Sequence, residues 1–335
     1  MNWMAVTGGA GFIGSNLVRG LLREDRRVRV IDNFSTGRRA NIGDLLETER
    51  DRLELWEGSV TEPDFLRHAL RGVEVVFHQA AIPSVPKSIA DPWLSNHHNI
   101  TGTLAVLVAA REAGVRRVVY AASSSAYGDT PVMPKTESMP ARPLSPYALT
   151  KFAGEEYCRI FHQVYGLETI SLRYFNIFGP FQDPASQYAA VVPNFIHRLL
   201  RGLPPVIYGD GTQSRDFTYV ENAVAANLLA AAAPPEACGR VFNIACGRRM
   251  DLNALAGTLN AILGTRLAPV YEPGRAGDVK HSLADIQEAR RWLGYSPLVD
   301  IEAGLRRTAD WFRGHPAGAP AAAPSPGPDT APAQD

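Results

Sequence analysis

The sequence predicts an α/β fold: a doubly wound parallel sheet (Rossmann) with a second, smaller α/β domain. Three observations carry this. A short apolar run, Trp3 to Thr7, leads directly into a glycine turn and then a helical repeat. Apolar strand-like runs then alternate with helical patterns as far as Arg173, as parallel strands joined by helical crossovers require. From about Asn176 the alternation gives way to short polar stretches rich in Pro and Gly, such as Gln182-Asp183-Pro184 and Tyr208-Gly209-Asp210-Gly211. The expected domains are 1–175, with some later segments returning to it, and 176–313. Residues 314–335 are mostly Ala, Pro, Gly and Ser, a composition expected to form a disordered tail because it cannot bury a core.

The first turn, Thr7-Gly8-Gly9-Ala10-Gly11-Phe12-Ile13-Gly14, opens a helical pattern through Leu22. Gly8 and Gly11 let the backbone turn tightly and approach a pyrophosphate, and Gly14 lets the helix pack closely on the sheet. The helix N-terminus at Phe12 and Ile13 offers N–H groups and a partial positive charge to phosphates. The next strand, Val28 to Ile31, ends at Asp32, the acid expected about 20 residues beyond the glycines. Asp32 can take both ribose hydroxyls of an adenosine and repels a 2′-phosphate, which favours NAD over NADP. A glycine pattern alone is weak; here it follows a strand, opens a helix and precedes a second strand ending in an acid.

The alternation continues through strands at Leu53–Trp56, Val73–His78 and Arg117–Ala122, and helices at Asp64–Arg71 and Ile100–Ala113. Ligands of such sheets bind at the carboxyl ends of the strands, where Gly14, Asp32, His78 and Ser123 fall. Ser123-Ser124-Ser125-Ala126-Tyr127-Gly128 would put hydroxyls beside the reactive end of a cofactor, although serine-rich turns are also ordinary loop composition.

Ser145-Pro146-Tyr147-Ala148-Leu149-Thr150-Lys151 reads as a helix start, with Ser145 as cap and Pro146 in the first turn. Tyr147 and Lys151 then share one helix face. An ammonium at roughly 4–5 Å in an effective dielectric near 20 would lower a phenol by two to three pKa units, enough for proton transfer near neutrality. Y-x-x-x-K by itself is common, and a plain surface helix would contain it too.

Composition narrows the class. The chain has 335 residues and 45% hydrophobic content, with 34 basic and 34 acidic side chains. Zero net charge gives no support for a nucleic-acid or membrane surface. The three cysteines form no C-x-x-C pair and the histidines show no ligand spacing, so no metal is expected. No apolar run reaches membrane-span length, and a strand begins within a few residues of Met1. A cytoplasmic protein is the expectation.

With these residues in order, the chain resembles the extended branch of the short-chain dehydrogenase/reductase family from about Trp3 to Phe312. Within it, the chain looks like the UDP-sugar 4-epimerases, closest to those acting on UDP-N-acetylglucosamine. The subfamily likeness rests on Ser123–Asp129, Leu144–Lys151, Arg173–Asp183, Tyr208–Asn222 and Gly277–Asp285. The resemblance implies Ser123, Tyr147 and Lys151 as the catalytic set. It implies cofactor contacts at Asn33, Ser35, Asn99, Tyr147 and Lys151. Substrate contacts map onto Ser84, Asn176, Gln182, Tyr208, Arg215, Arg275 and Asp278. In related dehydratases the residues after the catalytic hydroxyl are acidic; here they are Ser124 and Ser125 at the sugar, which favours epimerisation. Many relatives carry Gly-Asp where this chain has Gly58-Ser59, so Ser59 would accept from the adenine amine in place of a carboxylate. Ser282 falls where the family controls the space beside the sugar C2, and a serine leaves room for an N-acetyl group.

The implied reaction is C4 epimerisation through a 4-keto sugar, with UDP-glucose/UDP-galactose or UDP-glucuronate as alternative substrates. A decarboxylase or reductase on the same fold, and a non-catalytic nucleotide sensor, are the competing classes; a sensor should have lost the Tyr or Lys. The family also implies a homodimer paired through about Ile100–Ala113 and Tyr147–Val164, whose apolar character on more than one face fits either a dimer or a buried helix.

Overall fold

The computed structural model describes residues 2–183, 190–274 and 279–315. The strands are β1 (Trp3–Thr7), β2 (Arg27–Asp32), β3 (Leu53–Glu57), β4 (Val73–His78), β5 (Arg117–Ser123), β6 (Glu168–Tyr174) and β7 (Ile177–Phe178). They continue as β8 (Val206–Tyr208), β9 (Ser214–Arg215), β10 (Thr218–Tyr219), β11 (Arg240–Ile244), β12 (Met250–Asp251) and β13 (Val270–Glu272). The helices are α1 (Phe12–Arg23), α2 (Gly43–Thr48), α3 (Pro63–Ala69), α4 (Val85–Ala90), α5 (Pro92–Asn96) and α6 (Gly102–Glu112). They continue as α7 (Pro146–Tyr165), α8 (Val191–Leu200), α9 (Val220–Ala232), α10 (Leu252–Leu263), α11 (Gln287–Leu293) and α12 (Ile301–Gly314).

Seven strands form one sheet in the order β11-β6-β5-β4-β1-β2-β3. Its pairings are all parallel, so helical crossovers cover both faces. Period-two alternation assigns the strand side chains to two cores. Val6, Val30, Phe77 and Val119 pack with α1 and α9 on one face. Ala5, Ile31, Val76 and Val118 pack with α3, α6 and α7 on the other. The order turns back between β1 and β4, so the carboxyl ends of β1, β2 and β4 flank the switch point where dinucleotides bind.

The chain beyond residue 176 does not stay apart from this sheet. The edge strand β11 lies on β6, and α9 packs on α1, where Val224 closes on Gly20. What remains has its own core, built from Phe178, Phe195, Ile207, Phe217, Leu255, Leu259, Leu305 and Phe312. Around that core the strands are pairs of two or three residues: β7 with β10, β9 with β12, and β8 with β13.

The helix read over Ile100–Ala113 begins differently. A π-helical turn spans His97–Thr101 and α6 proper starts at Gly102. The wider turn buries Asn99 completely, with consequences for the site.

Candidate active site

The cofactor cradle is built at the ends of β1 and β2. Gly8 has φ +67°, and a Cβ there would lie 2.8 Å from Ala80; a Cβ on Gly14 would lie 2.1 Å from the Gly8 carbonyl oxygen. Side chains at these two positions would push the turn off the sheet. Helix α1 has Gly11 at its cap, no capping side chain and no acid in its first turn. The N–H groups at Phe12 and Ile13 therefore face an anion-compatible terminus. Asp32 ends β2 with Oδ2 accepting from Ala10 N (2.9 Å) and Oδ1 from Phe34 N (2.8 Å). Each oxygen keeps a lone pair for a hydroxyl. Burial raises the Asp32 carboxyl above its ordinary value while the two backbone N–H groups hold it down. Asn33 folds its side chain over Ser35 N at 3.1 Å, which shapes the exposed loop after β2. These features fit a dinucleotide whose adenosine carries free ribose hydroxyls.

Ser59, the residue matched to the adenine amine, bonds its own turn. Its Oγ lies 2.8 Å from Thr61 Oγ1 and accepts from Thr61 N at 3.2 Å. Two residues of separation make this a local serine turn, and when its proton goes to Thr61 Oγ1 the Ser59 hydroxyl keeps one lone pair for an adenine amine.

Helix α7 starts as the sequence indicates: Ser145 Oγ accepts from Ala148 N, and Pro146 occupies the first turn. Burial raises the pKa of the Tyr147 phenol, and Ser123, at the carboxyl end of β5, lies close enough to pull it down. Ser123 Oγ also lies 2.8 Å from Ser125 Oγ and accepts from Ser125 N at 3.2 Å. Lys151 is buried, with Nζ 4.8 Å from the centroid of the Tyr120 ring. Burial pushes its ammonium down to about 8. The expected lowering of Tyr147 by Lys151 is therefore not what this state displays: burial moves both groups toward their neutral forms, and the phenol sits above its usual value.

The sequence reading missed the polar network behind this pair. Asn99 Oδ1 accepts from Ile82 N (2.8 Å), while Nδ2 donates to Thr150 Oγ1 (3.0 Å) and Ile82 O (3.3 Å). Both of its donors are thus occupied by the protein, so Asn99 ties the loop at Ile82 to α7 and keeps one Oδ1 lone pair for a cofactor hydroxyl. Thr150 Oγ1 in turn donates to the Tyr147 carbonyl at 2.8 Å. His78 is wholly buried, with Nε2 2.9 Å from Thr103 Oγ1 and Nδ1 2.7 Å from Thr7 Oγ1. Thr103 gives its proton to the Asn99 carbonyl (2.6 Å), so His78 Nε2 must carry the hydrogen and Nδ1 must accept from Thr7. Burial, then the Lys151 charge, push His78 down to about 3. A neutral imidazole thus links β1, just before Gly8, through Thr103 and Asn99 to Thr150 on α7. Ser88 also went unread: its Oγ accepts from Tyr147 N (3.0 Å) and donates to Val85 O (2.7 Å). Nothing in the local sequence separates these Ser, Thr and His residues from core-filling ones.

The expected substrate residues divide. Ser84 caps α4 by accepting from Lys87 N at 3.2 Å, and α4 is the helix that Ser88 ties to Tyr147. Asn176 has φ +40° and donates from Nδ2 to Asp216 O at 3.2 Å. Gln182 donates from Nε2 to Ile177 O at 3.4 Å. Arg215 Nη1 donates to the carbonyls of Ser214 (3.0 Å) and Lys280 (3.1 Å). Ser282 N donates to Ser214 O at 3.0 Å, beside Arg215. Tyr208 lies on β8, opposite Glu272 of β13. Arg275 and Asp278 lie outside the described residues.

Comparison with known proteins agrees with this geometry. Residues 4–245 match the model of the NAD dependent epimerase/dehydratase family. The UDP-N-acetylglucosamine 4-epimerase from Methanobrevibacter ruminantium M1, solved in complex with UDP-N-acetylmuramic acid, is similar at 40% identity and TM-score 0.88, covering 93% of this chain and 98% of that one. A UDP-glucose 4-epimerase from Thermotoga maritima, solved with UDP-glucose, is similar at 38% identity and TM-score 0.87, over 93% of this chain and 99% of that one. A UDP-glucose 4-epimerase of Mycolicibacterium smegmatis is 36% identical over 315 residues, 92% of this chain and 97% of that protein.

Proposed function

This chain belongs to the NAD dependent epimerase/dehydratase family, and on that premise we propose that it interconverts UDP-N-acetylglucosamine and UDP-N-acetylgalactosamine by epimerisation at C4. The coarser chemistry is NAD-dependent UDP-sugar 4-epimerisation. The observation that carries the reaction is the placement of the Tyr147 phenol beside Ser123, one helical turn from a buried Lys151.

Gly8, Gly11, Gly14 and the N-terminus of α1 would hold the pyrophosphate of NAD, with Asp32 taking the adenosine ribose. When bound, NAD supplies the hydride acceptor and donor for the sugar C4 and, when oxidised, a cationic ring. Tyr147 removes the proton of the 4-hydroxyl and later returns it. Ser123 donates to the same phenol oxygen and sets its direction. Lys151 brings positive charge into the pocket, which favours the phenolate once the pair is closed off from water. Ser124 and Ser125 offer hydroxyls rather than the acid that loss of water would need. Arg215, a planar forked donor bonded to the Ser214 and Lys280 carbonyls, suits a diphosphate. Asn176, Gln182, Tyr208 and Ser84 complete the sugar-nucleotide contacts, with Arg275 and Asp278 assigned from sequence.

The preference for the N-acetyl sugar rests on Ser282, a small side chain where a bulky one would fill the space beside C2. The test is to incubate the NAD-loaded protein with UDP-N-acetylglucosamine and follow the galacto epimer by proton NMR. Conversion supports the reading. No conversion, with rapid turnover of UDP-glucose or UDP-glucuronate, reverses the substrate assignment.

We further propose a cytoplasmic homodimer. Helix α7 leaves Leu149, Ile160 and Val164 exposed along one side, a spacing that makes one stripe. No helix among the described residues is long and apolar enough to cross a membrane.

A further inference from the structure

The carboxyl group of Asp216, the residue after Arg215, is wholly buried. Its Oδ1 accepts from Cys246 N (3.0 Å), and its Oδ2 accepts from Gly247 N (3.1 Å) and Ala284 N (3.2 Å). These amides belong to two segments that are remote in sequence from Asp216 and from one another. Its backbone carbonyl accepts from the Asn176 side chain at 3.2 Å. Four stretches therefore meet at this one residue: the turn after β6, strand β9, the turn after β11 and the segment 280–284.

A carboxyl group in the interior is poorly solvated, and here its partners are neutral backbone amides. Burial raises it to about 7 while the amides pull it down. A hydrophobic residue would fill the space without that penalty, so the group's use lies in the amides it gathers. The ladder shows where this leads. Ser214 N donates to Lys280 O and Ser282 N donates to Ser214 O, both at 3.0 Å. The Ser214 and Lys280 carbonyls both accept from the Arg215 guanidinium. Clamping Ala284 to Asp216 keeps segment 280–284 in register with β9, and so keeps those two carbonyls together.

We propose that Asp216 is a positioning residue for sugar-nucleotide recognition: its carboxyl group locks the segments that aim Arg215 at the diphosphate and set Ser282 beside the sugar. This rests on the UDP-sugar reading above. It acts through Arg215 and Ser282 and touches no reacting atom.

Asp216→Asn keeps the size but turns an amide NH₂ toward backbone N–H donors in either orientation. The expected result is a Kd for UDP, and a KM for the UDP-sugar, raised about tenfold or more, as unmet buried donors imply. The kcat at saturation should stay within about twofold, because the chemistry lies in the other half of the molecule. Bound NAD, read by absorbance after denaturation, should be unchanged. An unchanged UDP Kd, with only a lower melting temperature, would overturn the proposal. Should Asp216→Asn not fold, amide exchange of the wild type decides: saturating UDP should slow exchange at Cys246, Gly247 and Ala284, and unaltered rates refute the role. If the wild type binds no UDP at all, the functional reading fails first and this inference falls with it.

Discussion

The sheet half of this protein, assigned above to the cofactor, and the half proposed to take the substrate are built by different means. In the first, functional residues sit at the ends of strands of five to seven residues that are locked into one parallel sheet. Backbone ladders carry the geometry, and Asp32, His78 and Ser123 inherit it from the strand before them. In the second, strands are two or three residues long, too short to fix anything alone. Side chains bonded to backbone take over. Asp216 gathers three amides. Asn222 does the same with Leu298 N, Val299 N and the Val299 carbonyl. The difference separates rigid chemistry from adjustable recognition: changes in the first half should act on kcat, and changes in the second on KM and on substrate choice.

The sharpest test of that split is Tyr147→Phe. It removes the proton acceptor and leaves the apolar ring. Turnover should fall by about 10²–10⁴-fold, while UDP affinity, measured by calorimetry, stays near the wild-type value. Near-normal turnover would remove Tyr147 from the base role. A large loss of UDP affinity would break the division between the halves.

Lys151 gives the next effect and a pH signature. Burial holds its ammonium near 8, against 10.5 in the open chain. Its charge is therefore lost as pH rises through about 8, and kcat should fall on that alkaline side. Lys151→Met should abolish the limb and reduce turnover about 10²-fold. Stability runs the other way. In NAD-free protein the unfolded chain keeps that proton to higher pH than the folded one. Unfolding free energy should then rise between pH 8 and 10 in the wild type and not in Lys151→Met, as chemical denaturation would measure.

Much of the first half was legible in the chain because its signals are periodic and local. Gly8, Gly11 and Gly14 announce a turn that at Gly8 and Gly14 tolerates no Cβ, and Asp32 ends a clear strand. Ser145 caps the helix that carries Tyr147 and Lys151. What could not be read is whatever depends on contacts distant in sequence. His78 and Thr103 are 25 positions apart, Asn99 and Thr150 are 51 apart, and Ser88 and Tyr147 are 59 apart. No spacing rule links such pairs. The sign of the electrostatics was unreadable for the same reason: the Tyr147/Lys151 spacing predicts attraction, but burial, which sequence does not display, decides the charge states. In the second half Arg215 and Asn176 could be matched to a family pattern, whereas the buried carboxylate next to Arg215 gave no sign of what it gathers. A charged residue flanked by Arg and Phe reads as a turn until Cys246, Gly247 and Ala284 are brought around it.

Ser282 supplies the smallest effect and the finest test of the comparison. Its backbone N–H is committed to Ser214, so a substitution there keeps the ladder and changes only what projects from it. Ser282→Tyr adds bulk beside the position assigned to the sugar C2. With UDP-N-acetylglucosamine, kcat/KM should drop by about tenfold or more, roughly the discrimination that pocket shape can supply. With UDP-glucose, which carries a hydroxyl there, the change should stay within about threefold. The loss should fall on KM if the N-acetyl group is excluded from the ground-state complex, and on kcat if the sugar binds but cannot reach Tyr147. Equal losses for both substrates would show that residue 282 shapes the site without reading C2. Selectivity would then have to be sought elsewhere among the recognition residues, while the division between the two halves would stand.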